Sequence, residues 1–201
     1  ETYTFTWTVT NGICSASDDV TITVDADLIS VSAGSDQQLC DVTTATLDGS
    51  AFNGNGVWYL GDVGSTAVID NPSQTNTTVS NLVPGNCYTF DWIVQNGTCL
   101  AADKVQICID EMPIAEAGVN QQVCANTTQL QATATTIGVG EWTLTGGTGY
   151  PNPAVFFNED MANTFVTGLE KGETYEFTWT IVNNTCTVSE CLFRYFCILR
   201  N

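Results

Sequence analysis

Residues 3–24 read YTFTWTVTNGICSASDDVTITV, residues 88–109 read YTFDWIVQNGTCLAADKVQICI, and residues 175–188 read YEFTWTIVNNTCTV. In the first of these, Tyr3, Phe5, Trp7 and Val9 alternate with threonines. That is a period of two, with an apolar aromatic face and a β-branched polar face, so the stretch predicts a half-buried strand. Asn-Gly at 11–12 and again at 96–97 breaks the run and predicts a tight hairpin of type I′, which needs positive φ at both central residues. The strand after the turn carries Val20, Ile22 and Val24, or Val105, Ile107 and Ile109, on its inner face.

The same unit recurs. Tyr3, Tyr88 and Tyr175 are 85 and 87 residues apart; Trp7, Trp92 and Trp179 follow each Tyr by four, and Cys14, Cys99 and Cys186 follow it by eleven. AGSDQQLC at 33–40 returns as AGVNQQVC at 117–124, and Trp58 in GVW returns as Trp142 in GEW, both 84 residues on. NTTVSNLVPG at 76–85 returns as NTFVTGLEKG at 163–172. Independent anchors at one spacing define tandem repeats. Residues 1–27 read as the last strands of one repeat, 28–111 as a complete second and 112–201 as a third with an atypical tail. The acidic stretches 25–27 and 110–111, the latter followed by Pro113, mark the seams. The linkers are so short that neighbouring repeats are expected to touch.

No segment shows helical periodicity, and about 85 residues with roughly seven short strands fit a two-sheet sandwich. The fold class read from the sequence is therefore all-β, as tandem immunoglobulin-like (PKD-like) β-sandwich repeats. Trp7, Trp92 and Trp179 are expected to fill sandwich cores, and Trp58 and Trp142 to do the same.

Composition narrows the function. The 201 residues hold 22 acidic and 4 basic side chains, a net charge of -18. Such a chain is repelled by phosphate backbones and anionic headgroups, so neither nucleic acid nor membrane insertion is expected of it. The absence of histidine removes Ser-His-Asp and Cys-His nucleophile systems and His-bearing zinc sites. Adjacent carboxylates (Asp18 with Asp19, Glu159 with Asp160) project to opposite faces of a strand and make poor acid–base pairs, as does Asp25 with Asp27. GGTG at 146–149 lacks the lysine and the strand-to-helix context of a phosphate loop and reads as a turn. The N-x-Thr triplets at Asn76, Asn96, Asn126 and Asn183 are weak signals in a chain so rich in Asn and Thr. No catalytic residue, no cofactor and no enzyme activity are expected. The seam carboxylates Asp25, Asp27, Asp110 and Glu111 are the candidate ligands for Ca²⁺, which takes oxygen donors, although no EF-hand spacing is present.

Nine cysteines, none in a CxxC, point to an oxidising, extracellular setting. With one cysteine near the start of each full repeat and one after the hairpin turn, the expected bridges are Cys40–Cys99 and Cys124–Cys186, each contributing roughly 3–5 kcal/mol. Cys14 would pair with a cysteine in the front of its own repeat. Cys87 and Cys108 point outward at nearly symmetric distances from the Asn96-Gly97 turn, which predicts a cross-strand bridge between them. Cys191 and Cys197 lie in SECLFRYFCILRN (189–201), which departs from the repeat and supports no functional reading. The opening ETYTFTWTVT is already a strand, so a fragment of something longer is expected.

The pattern formed by AGSDQQLC, GNGVW, GVGEWTLTGGTG, NTFVTGLEKGETYEFTWTIVNNTC and YTFTWTVTNGICSASDDVTITV resembles the PKD-like repeats of giant Bacteroidota cell-surface proteins, of which gliding-motility adhesins of the SprB type are an example. The likeness covers nearly all of residues 1–188; GDVGSTAVID (61–70) in place of GGTG, the Cys87 and Cys108 additions and the tail depart from it. It implies a surface filament exported by type IX secretion. The expected role is a stalk or spacer in an extracellular adhesin, with neighbouring repeats as partners. The alternative is an array that binds surface glycans or proteins through loop residues such as Trp58, Tyr59 and Tyr150, alone or attached to a secreted hydrolase.

Overall fold

The computed structural model describes residues 1–24, 30–52, 54–150 and 154–196, with 52 and 193–196 as backbone. Among these residues there is no helix. The strands are β1 (Thr2–Asn11), β2 (Cys14–Thr23), β3 (Ser30–Ser32), β4 (Gln37–Cys40), β5 (Ala45–Asp48), β6 (Ser50–Phe52), β7 (Asn55–Leu60), β8 (Val68–Ile69), β9 (Asn76–Ser80), β10 (Cys87–Asn96) and β11 (Cys99–Asp110). They continue as β12 (Gln121–Val123), β13 (Thr127–Gln129), β14 (Val139–Gly146), β15 (Val155–Phe156), β16 (Phe165–Thr167), β17 (Thr174–Asn183) and β18 (Cys186–Phe196). The sheet order β4-β11-β10-β7 returns as β12-β18-β17-β14, and β5-β9-β8 returns as β13-β16-β15. The period in the sequence is thus a period in topology: β4 to β11 and β12 to β18 each build one four-stranded and one three-stranded sheet, with β1-β2 and β3-β6 as two further two-stranded sheets. The fold is all-β, as the alternation requires.

The chain divides into two compact units. One takes in residues 1–37, 44–82 and 87–107, the other 38–43, 83–86 and 108–201.

In the first unit, Tyr88, Phe90, Trp92 and Val94 of β10 are buried while the residues between them are not, which is the alternation read from the sequence. Trp92 lies directly across from Trp58 of β7, ring centroids 4.9 Å apart. Such a tilted pair adds about 0.5–1.5 kcal/mol beyond the area it buries. Both indole N–H groups find backbone acceptors, Trp58 at the carbonyls of Gln74 and Thr75 and Trp92 at that of Ser50. A Cβ on Gly56 would stand 2.0 Å from the Trp92 ring, so the glycine of GVW makes room for the indole of the neighbouring strand.

The second unit repeats this packing, with the Trp142 indole N–H bonded to the Ala162 carbonyl at 3.1 Å and the buried Trp179 N–H without an acceptor among the described residues. Tyr175, Phe177, Trp179 and Ile181 of β17 are buried, Trp142 lies across from Trp179 at 5.2 Å, and a Cβ on Gly140 of GEW would sit 2.1 Å from the Trp179 ring. The hydroxyl of Tyr175 accepts a 3.1 Å bond from the Glu170 N–H, the backward tie of a tyrosine corner. GGTG is the expected turn: Gly147 has φ 104°, and a Cβ on Gly149 would overlap the Tyr175 ring at 2.3 Å. The departing tail continues as the last strand, with Leu192 buried opposite Phe177; Cys197 lies outside the described residues.

Two expectations are corrected. The hairpin loops are not Asn-Gly centred. Asn11 pairs with Cys14 and Asn183 with Cys186, so the central residues are Gly12-Ile13 and Asn184-Thr185. Positive φ falls at Gly12 (62°), Gly97 (60°) and Asn184 (51°), the first central position alone, which is the signature of a type II′ turn rather than I′. Trp7, expected in a core, is 73% exposed. It sits in the two-stranded sheet β1-β2, where among the described residues no second sheet covers the aromatic face.

Gly56→Ala and Gly140→Ala should each destabilise their own sandwich by about 1–3 kcal/mol, the usual cost of overpacking a filled core. Urea unfolding followed by tryptophan fluorescence measures it; unchanged midpoints would show that the indoles do not rest on these glycines.

Candidate functional site: a bridged joint at the end of β11

The short first strand of each repeat runs alongside the last strand in the same direction. In the second unit this is the parallel pairing of β12 with β18, Val123 opposite Phe196. In the first, the N–H of Ala33 donates to the Asp103 carboxylate at 2.9 Å and the N–H of Gln106 to the Asp36 carboxylate at 2.8 Å, an ascending register of the same kind. The acidic residue of the repeat therefore serves as a structural clamp. Asp103, and Glu190 at the matching place, each hold the backbone N–H of the Ala-Gly pair that opens the next strand. Bonds from Ala33 first and Lys104 second hold the Asp103 carboxyl below its usual value. Asp18 occupies the corresponding position in SDD.

The parallel register overturns two expected bridges. Cys186 opens β18, whereas Cys124 follows the residue that faces its far end, about ten residues or roughly 33 Å away along the strand. Cys99 likewise opens β11, while Cys40 ends β4 beside the last residue of β11, where the Asp41 N–H bonds the Asp110 carbonyl at 2.9 Å. Neither Cys40–Cys99 nor Cys124–Cys186 can close. Cys40 is bonded instead to Cys186, with Cα atoms 5.0 Å apart and 146 residues between them in sequence. Cys99 and Cys14 are free thiols, Cys99 half-buried and Cys14 exposed, and Cys191 is free and exposed. Cys87 opens β10, Cys108 lies near the end of its sheet neighbour β11, and both are disulfide-bonded.

Beside the Cys40–Cys186 bridge, within the second unit, sits Asp110, 8% exposed. One carboxylate oxygen accepts from Gln38 Nε2 at 3.0 Å and Asn184 Nδ2 at 2.9 Å; the other accepts from the Thr185 N–H at 3.0 Å and its hydroxyl at 2.6 Å. Asn183 Nδ2 adds a 2.7 Å bond to the Glu111 carbonyl. The Thr185 hydroxyl is the main cause holding the Asp110 carboxyl far below the usual range; burial opposes it, and Gln38, Asn184 and the Thr185 N–H reinforce it. The second glutamine of AGSDQQLC, the acid after QICI and the residues Asn-Thr-Cys of the turn are therefore parts of one object. Gln38, Cys40, Asp110 and Asn183 to Cys186 all belong to the second unit, where covalent and charge-assisted bonds fasten residues far apart in sequence. Cross-linking a loop of 146 residues removes unfolded-state entropy corresponding to about 5 kcal/mol on the chain-entropy account.

The remaining candidates do not converge. With both Asp110 oxygens taken by protein donors and Glu111 contributing its carbonyl, this seam is built as a hydrogen-bonded lock, and among the described residues no cluster of three metal-ligating side chains occurs. Asp25 and Asp27 lie outside the described residues. Trp58 is buried, whereas Tyr59 and Tyr150 are about half exposed. Asp18 and Asp19 follow one another along β2, and Glu159 accepts through its backbone carbonyl from the Trp142 N–H. Asp110 and both bridging cysteines stand out in the sequence, but Gln38 and Thr185 do not. The recurring QQ and N-x-T-C are the available signal for them.

No family model and no curated protein sequence matches the chain. Among solved structures it is similar to extracellular domains 3–5 of Drosophila OTK (TM-score 0.64, 11% identity, covering 90% of this chain and 67% of that one). It is similar as well to Sidekick-1 immunoglobulin domains 1–5 (TM-score 0.57, 12% identity, 94% and 45%) and to an I-band fragment of titin (0.50, 10%, 84% and 65%). The chain thus spans two-thirds of the OTK segment and under half of the Sidekick-1 segment. At such identities the likeness shows the fold: tandem immunoglobulin-like domains.

Replacing Asp110 by Asn should weaken the joint by ~1–3 kcal/mol, because donors aimed at a carboxylate lose an acceptor. The folded carboxyl titrates below the unfolded one, so its stabilisation is fully present above pH ~4 and drains away as pH falls further. The urea-unfolding difference between wild type and Asp110→Asn should therefore shrink steadily below pH ~4. A difference that stays flat down to acid pH would contradict it.

Proposed function

We propose that this chain is a load-bearing repeat segment of an extracellular protein, serving as a stalk or spacer of a surface adhesin or filament, with no catalytic role. The observation that carries the proposal is the Cys40–Cys186 bridge set beside the Asp110 lock, which joins residues of two successive repeats. Disulfide bonds support an extracellular, oxidising location. The strong negative charge disfavours nucleic acid and anionic membranes as partners, and leaves neighbouring repeats as the main ones. On this proposal the repeats divide near 28 and 112, as the sequence period has it. The motif likeness to Bacteroidota surface repeats supports a finer version, in which the parent protein is an adhesin of gliding cells exported by type IX secretion. Burial of Trp58 takes the largest ring away from the glycan-binding alternative.

Single-molecule stretching between residues 1 and 201 tests the load-bearing role. Under oxidising conditions the bridge shields a segment of 146 residues from extension. Full reduction should lengthen the fully stretched chain by roughly 500 Å at ~3.4 Å per residue, and Cys40→Ser with Cys186→Ser by somewhat less while Cys87 and Cys108 stay bonded. Equal contour lengths with and without the bridge would contradict the proposal. Labelling of intact cells that carry the parent protein tests its location.

A further inference from the structure

We propose that Cys99 is the receiving half of a second joint of the same kind, and that its partner is the start cysteine, the Cys of an AGxxQQxC-type strand, of a repeat placed N-terminal to residues 28–111. The inference rests on the load-bearing reading and extends it from one bridge to a ladder in which each repeat's start cysteine is bonded to the turn cysteine of the next.

Three observations carry it. Cys99 occupies the same place in its hairpin as Cys186: each opens the second strand of the pair and follows a turn whose first central residue has positive φ, Gly97 at 60° and Asn184 at 51°. The equivalent residue, Cys186, is bonded to the start cysteine of the preceding repeat, while Cys99 is a free thiol, half-buried beside its turn. Finally, the accessory residues of the joint recur in register. Asn96, Thr98 and Cys99 stand where Asn183, Thr185 and Cys186 stand, with Gly97 in the place of Asn184. The expected Cys40–Cys99 bridge is thereby replaced by a rule: a turn cysteine bonds backwards to the preceding repeat. Cys14, exposed and free at the same place in β2, is the next rung.

Bond formation is a two-electron oxidation. The Cys99 thiol and the incoming start-cysteine thiol lose two protons and two electrons, and a disulfide donor, such as oxidised glutathione or an oxidised dithiol oxidoreductase, is reduced to two thiols as the new S–S bond forms.

The test uses the protein with a duplicate of residues 28–111 placed directly ahead of residue 28, folded in a mixture of oxidised and reduced glutathione. Alkylation followed by non-reducing peptide mapping should find the duplicate's start cysteine cross-linked to the Cys99 adjoining it. That Cys99 should fall from full alkylation in the original chain to background, while the duplicate's own turn cysteine remains reactive. Cys99→Ser in the same protein should return the duplicate's start cysteine to full alkylation. A reactive Cys99 in a sample where Cys40–Cys186 has formed would overturn the ladder and leave the observed joint standing, and so would a bridge closed within one repeat. Absence of Cys40–Cys186 itself in folded protein would sink both the ladder and the load-bearing reading.

Discussion

The parallel run of a short first strand beside a long last strand governs everything distinctive about this molecule. Because β12 advances with β18, the start cysteine of a repeat is carried to the end of the sandwich remote from the hairpin turn. Its thiol then cannot reach the turn cysteine of its own repeat. Cys40, at the end of β4, is likewise set beside Asp110 at the end of β11, and it meets Cys186 there. The bridge and the carboxylate lock are consequences of strand direction before they are consequences of cysteine chemistry.

The cores obey a second constraint, one of shape. Two indoles facing each other across adjacent strands demand space that only a residue without a side chain can provide, and Gly56 and Gly140 provide it two residues before Trp58 and Trp142. Motifs that look like turn signals in the sequence are, at these places, packing signals. Glycines 147 and 149 combine both uses, since one adopts positive φ and the other lies against the Tyr175 ring.

Much of the fold is legible from residues alone. Alternation in YTFTWTV-type strands marks a face that two-sheet packing buries, and the spacing of Tyr, Trp and Cys anchors shows the unit to be repeated. The buried faces of β10 and β17 follow that pattern residue by residue. The disulfides are less legible, because spacing along a chain does not say which way a strand runs; an antiparallel first strand would bring Cys40 and Cys99 together, and a parallel one separates them. Trp7 shows another boundary of sequence reasoning. Its strand has the same alternation as β10, but burial needs a second sheet, and the described residues around β1 and β2 supply none. The turn type differs from the expected one for a local reason: Asn11 belongs to the last strand pair, so glycine stands first in the loop. Asp110 stands out in the sequence for its charge, which suggests a cation, whereas the hydrogen-bond donors that claim it are held near it only by the folded joint.

The most direct measurement is the disulfide map of the native 201-residue chain, obtained by digestion without reduction after alkylating free thiols. The account predicts one peptide pair joining Cys40 to Cys186, together with an alkylated Cys99. A map in which Cys40 is joined to Cys99 and Cys124 to Cys186 would contradict the parallel strand register and the joint built on it.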